Sequence, residues 1–110
     1  MLKSSNRLSV EQFNMIMEKG RTIHSPFFYL RFIKEPDTTQ ISATVSKKVA
    51  KLAVERNKIR RQMYGSIKKI IKHIQNGYKI IVFAKKTNFG DSLELEKTLT
   101  ELFVKAGILK

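Results

Sequence analysis

Ile59, Met63, Ile67, Ile70, Ile71 and Ile74 recur at three- and four-residue intervals. A helix over about 52–75 therefore turns one apolar stripe to a core and its lysines and arginines outward. On either side the period shortens to that of strands. Residues 41–46 (Ile-Ser-Ala-Thr-Val-Ser) alternate apolar and polar, leaving Ser42, Thr44 and Ser46 on an accessible face. Residues 78–84 (Tyr-Lys-Ile-Ile-Val-Phe-Ala) form a short run of β-branched and aromatic residues that reads as a central strand. Strand, long amphipathic helix, strand excludes both a pure helical bundle and a pure β-barrel. If the two strands are parallel neighbours, the helix is the crossover between them.

The flanks fill in the rest. Over 9–19, Ser9 and Gln12 have capping-box spacing, Val10, Phe13, Ile16 and Met17 keep helical spacing, and Gly20 is a sensible stop. Ser25-Pro26 breaks the chain, and 27–33 is aromatic enough for a strand, followed by turn chemistry at Glu35-Pro36-Asp37. Asn76-Gly77 ends the long helix. Asp91-Ser92 caps a last one, whose buried face is Leu95, Leu99, Leu102 and Phe103. The expectation is one α+β domain over the 110 residues, a two-layer sandwich in the order αββαβα. No internal repeat, Gly/Ser linker or low-complexity tract divides it.

Charge narrows the partner. The chain carries a net +13, and residues 38–90 hold thirteen of its 22 Lys/Arg against one acid, Glu55. A positive field so concentrated attracts polyanions, nucleic acid first. No aromatic-rich amphipathic helix or lipidation motif points to a membrane. The longest apolar run, Ile80 to Ala84, is far short of the roughly 20 residues that span a bilayer. Met1-Leu2-Lys3-Ser4-Ser5 has no signal-like apolar region, so a cytoplasmic protein is expected.

Catalytic signals are missing. Cysteine is absent, removing thiol chemistry and thiolate zinc sites. His24, beside Pro26, and His73, among Lys69 and Lys72, lack acidic partners at helical spacing and read as surface histidines. No paired carboxylates or glycine-rich phosphate loop occur. No catalytic residue is assigned, no metal-binding residue is marked, and no small-molecule substrate is expected.

One block stands out. Ser46-Lys47-Lys48-Val49-Ala50-Lys51 leads into Glu55-Arg56-Asn57-Lys58-Ile59-Arg60-Arg61. On a helix Arg56 and Arg60 share a face and Asn57 and Arg61 form the adjacent row, largely clear of the apolar stripe. Guanidinium groups clamp phosphates bidentately, and lysine adds point charge. Asn57 is poor inside a helix unless its amide has a partner. The plainer alternative is a solvated face that keeps the protein soluble.

This block resembles the RNR motif of the bacterial ribonuclease P protein family. The opening Asn6-Arg7-Leu8 with Phe13 and Gly20, and the strand Tyr78 to Lys85, are similar to the family's first helix and last strand. The resemblance implies that the protein binds a large catalytic RNA. That RNA, with its bound magnesium ions, would hydrolyse the phosphodiester that releases the 5′ leader of precursor tRNA. It also implies a left-handed βαβ crossover, akin to the second domain of a small-subunit ribosomal protein, where the general rule is right-handed in about 98% of cases. Lys47, Lys48, Lys51, Arg56, Asn57, Lys58, Arg60 and Arg61 would contact the catalytic RNA. A central cleft for the single-stranded leader would take Phe13, Met17, Phe27, Tyr29 and Arg31, with Ser42, Thr44 and Ser46 on the neighbouring strand. Aromatics there stack on unpaired bases or, on the alternative reading, pack in the core. Tyr64 stands where the family usually has arginine, and Ser42 where it often has glycine. Tyr64 is open between stacking on a nucleotide and packing. Lys85 and Lys86 extend the footprint or form a solubilising loop. The rival class is a structural ribosomal RNA-binding protein; a small DNA-binding module lacks a helix-turn-helix pattern.

Overall fold

A computed structural model of the chain describes residues 9–34, 39–74, 77–85 and 92–108. The expected features at Asn6-Arg7-Leu8, Glu35-Pro36-Asp37, Asn76, Lys86 and Asp91 lie outside them. Helix α1 (Val10–Lys19) is followed by strands β1 (Arg21–His24), β2 (Phe28–Lys34) and β3 (Gln40–Thr44). Then come α2 (Ala53–Ile70) with a 3₁₀ turn at Ile71–His73, β4 (Tyr78–Ala84) and α3 (Ser92–Lys105). The sheet order is β1-β2-β4-β3. β3 and β4 are parallel neighbours, so α2 is the crossover between them, and the other pairings are antiparallel. The α+β sandwich matches the sequence reading, with one strand more than αββαβα. β1 is a four-residue edge strand with one apolar residue, Ile23, packed on the core, too short to leave a pattern.

The sheet has two unequal faces. Phe28, Leu30 and Phe32 of β2, Ile41 and Ala43 of β3, and Ile80, Val82 and Ala84 of β4 point to one side. There they meet the Ile59–Met63–Ile67–Ile70 stripe of α2 and Leu95, Leu99, Leu102 and Phe103 of α3. This is the main core. On the opposite face Ile81 is fully buried outside that cluster, as is Ile16 of α1, which packs across β2 and β4. Burying such an isoleucine contributes about 1.5–3 kcal/mol.

α1 is held at both ends. Ser9 Oγ accepts the Gln12 N–H at 3.2 Å, and Gln12 Oε1 accepts the Ser9 N–H at 3.0 Å, completing the capping box. At its C-terminus the Gly20 N–H donates to the Ile16 carbonyl at 2.7 Å, and a Cβ on Gly20 would lie 2.4 Å from that oxygen. Only glycine allows this approach. α3 ends at Gly107, with φ of +77°, where the Ile108 N–H returns to the Phe103 carbonyl at 3.1 Å.

Candidate nucleic-acid interface

The basic block occupies the turn after β3 and the first two turns of α2. The Ser46 carbonyl accepts the Val49 and Ala50 N–H groups, each at 3.1 Å, folding the chain back toward the helix. Arg56 reaches backward: its Nη1 donates to the carbonyls of Ala50 at 3.0 Å and Lys51 at 2.8 Å. Half-buried, it fixes the lysine-bearing turn to the helix. Leu52 caps α2 without a side-chain hydrogen bond, so the positive end of the helix dipole adds to the local field. Asn57 gains its expected partner, its Oδ1 accepting from Arg60 Nη2. Lys47, Lys48, Lys51, Lys58 and Arg61 are exposed. Among the described residues none of these five, nor Arg56 or Arg60, pairs with a carboxylate.

Beside this block, β3 and the start of α2 enclose a groove of about 780 Å³. Ser42 and Thr44 line one wall and Val54, Asn57, Arg60 and Arg61 the other, with Tyr64 between them. The two sets of residues expected to face different parts of an RNA thus share one groove. Tyr64 is buried, and its hydroxyl accepts the Ala43 N–H at 2.9 Å. β3 is an edge strand, and this bond satisfies a donor on its unpaired side. Of the two readings for Tyr64, packing holds.

The face opposite the main core carries the second expected surface. Across the strands the register sets His24 beside Tyr29, Tyr29 beside Phe83 and Phe83 beside Thr44; the next row is Thr22, Arg31, Ile81 and Ser42. The Tyr29 and Phe83 rings stack with centroids 4.5 Å apart and planes 8° apart, and His24 stacks on Tyr29 at 5.4 Å. Lys85 Nζ lies 5.9 Å from the Tyr29 centroid. From α1, Phe13 is half-buried and Met17 is exposed.

Two expected cleft residues, Phe27 and Ser46, lie elsewhere, and a third, Arg31, has its guanidinium engaged. Arg31 stands on this face, but its guanidinium holds the end of α1. Nε donates to the Ile16 carbonyl at 3.3 Å, Nη2 to those of Met17 and Gly20 at 2.9 and 3.0 Å, and Nη1 to Thr22 Oγ1 at 2.9 Å. Phe27 packs half-buried against the main core, because reciprocal bonds between Ser25 and Phe28 delay strand alternation until Phe28. Ser46 lies beyond the end of β3, in the basic turn. Conversely, the sequence reading passed over His24 and Phe83. The available signal was strand parity, which needs β1 and the β2–β4 register to be known.

Among the described residues no group of three or more His, Cys, Asp or Glu side chains is placed to hold a metal ion. None of their helices is long and apolar enough to cross a membrane.

Comparison with known proteins matches this arrangement. The sequence model of the family described as Ribonuclease P matches residues 2–107. The chain is 33% identical over 116 residues to the ribonuclease P protein component of Pseudanabaena, covering 99% of this chain and 97% of that one. It is 35% identical over 106 residues to that of Desulfosudis oleivorans, covering 94% and 87%. Its fold is similar to the solved RNase P protein of Staphylococcus aureus, with a TM-score of 0.81 at 26% identity over 96% of this chain and 98% of that one.

Proposed function

The chain belongs to the ribonuclease P protein family, and from that premise we propose that it anchors the family's catalytic RNA through the start of α2 and guides the 5′ leader of precursor tRNA across the sheet face. Membership makes it an RNA-binding subunit of an endoribonuclease in tRNA processing. Its contribution on this reading is binding and orientation, carried out in the cytoplasm. Arg60, Arg61, Lys58 and the turn lysines neutralise phosphates of the catalytic RNA. Asn57 aims Arg60, and Arg56 keeps the turn in place. Tyr29, with Ser42 and Thr44, offers an aromatic surface and hydroxyl groups to unpaired nucleotides.

Magnesium enters this reading as the ion held mainly by the catalytic RNA, where it would supply activation of the hydrolytic water and stabilisation of the leaving oxygen. Among the described residues no group of three or more His, Cys, Asp or Glu is placed to hold it. This chain raises the affinity for the leader and lowers repulsion among phosphates brought close together.

The observation that carries the proposal is the shared groove, where Ser42 and Thr44 of the leader surface face Asn57, Arg60 and Arg61 of the anchoring helix. A structural ribosomal protein explains the charge equally well but not this convergence or the family match. The test is binding to a bacterial RNase P RNA across a salt series. The Arg60→Ala/Arg61→Ala variant is expected to bind more weakly, with a log–log salt slope shallower by about 1.5, the value for two lost phosphate contacts. An unchanged slope would remove the anchoring role from α2.

A further inference from the structure

The three rings on the sheet face form a column, and the column is open at one end. Tyr29 and Phe83 occupy paired positions on neighbouring strands, and their 4.5 Å centroid separation is close to the spacing of adjacent strands, about 4.8 Å. Their near-parallel rings therefore stand upright on the sheet and stack along the direction that crosses the strands. His24, paired with Tyr29 from β1, continues the column at 5.4 Å with its plane tilted by 30°. β1 is the edge of the sheet, and His24 is exposed. Its only ring contact among the described residues is Tyr29. At the other end Phe83 meets Thr44, which has no ring.

The turn bearing His24 is held in place from outside. Lys105 Nζ donates to the His24 carbonyl at 3.1 Å, and Lys85 Nζ to the Ser25 carbonyl at 3.0 Å. These bonds fix the backbone under the imidazole: Lys105 reaches it from α3 on the core side, while the Lys85 ammonium lies beside the column, 5.9 Å from the Tyr29 centroid. The arrangement combines an exposed π-face with a cation at its flank, the pairing that recognises a base together with its phosphate.

We infer that His24 is a binding residue, and that an unpaired nucleobase of single-stranded RNA stacks on its outer face as the fourth ring of the column, its phosphate beside Lys85. This inference rests on the proposed leader-binding role and extends that surface to the sheet edge. Stacking tolerates any base, so the site takes a purine or a pyrimidine, with a modest preference for the larger ring.

The test uses the full chain and an unstructured RNA oligonucleotide containing one 2-aminopurine, whose fluorescence falls when it stacks. Wild type is expected to bind and quench. His24→Ala is expected to lose about tenfold in affinity together with most of the quench, while keeping the wild-type circular dichroism spectrum. His24→Phe, which retains a stacking face, is expected to restore both. If His24→Ala binds and quenches as wild type does, the column ends at Tyr29 and the inference is wrong. If His24→Phe fails as badly as His24→Ala while still folded, stacking is not the interaction. A folded wild type that binds no oligonucleotide overturns the leader reading itself, an outcome distinct from the other two.

Discussion

Tyr64 shows how one side chain at the edge of a basic row can take a structural task. Arginine there would extend the basic row of α2; tyrosine turns inward and satisfies the edge of β3. Tyr64→Phe keeps the ring but strands the buried Ala43 N–H, at a cost of about 1–3 kcal/mol. A urea midpoint lowered accordingly, with faster amide exchange at Ala43, is the expected result. Because β3 carries Ser42 and Thr44, the variant should also weaken leader binding more than binding to the catalytic RNA. Arg31 makes the same point from the other side. A cation among aromatics on an open strand face resembles an RNA contact in sequence, yet most of its donors serve the carbonyls of Ile16, Met17 and Gly20. Arg31→Lys retains the charge but not the planar fork. Exchange should then accelerate across α1 while the amides of β2 and β4 stay protected.

The elements differ in how plainly the sequence announces them. α2 and β4 are legible because each has a clean period and a long contact with the core: Ile59, Met63, Ile67 and Ile70 of α2 and Ile80 to Val82 of β4 are buried as their patterns read, with Tyr64, Ser66 and Lys79 buried besides. α1 is legible from its cap spacing. β1 is not, since its four residues gain their strand character from pairing with β2, a tertiary fact. The same loss hid the ring column, because His24 and Phe83 meet Tyr29 only through the register. The basic block was legible as a cluster of mostly exposed cations at the start of a helix, whereas the backbone role of Arg56 depends on the fold of the preceding turn. α1 itself is the least anchored helix, docked through Ile16 and Arg31 and closed by Gly20. Gly20→Ala forces a Cβ against the Ile16 carbonyl. It is expected to lower the thermal midpoint by several degrees, an effect of about 1–2 kcal/mol, and to release α1 before the sheet unfolds.

Over the whole molecule, charge and shape are divided between two jobs. The α2–α3 side of the sheet is a closed apolar core with one recorded ion pair among the described residues, Lys69 to Glu96 at 3.9 Å. The other face carries rings and hydroxyls, and the rim at the start of α2 carries cations that pair with no carboxylate among the described residues. A net charge of +13 draws any nucleic acid; on the proposed reading it is the surface geometry that selects an RNA presenting folded helices and a single strand together. The decisive measurement is cleavage of a precursor tRNA by a bacterial RNase P RNA at low, near-physiological magnesium, with and without this protein. Wild type should restore correct 5′ cleavage, Arg60→Ala/Arg61→Ala should restore little, and the protein alone should cleave nothing. Cleavage by the protein alone, or an RNA that gains nothing from the folded wild type, would contradict a subunit that binds and orients while its RNA performs the reaction.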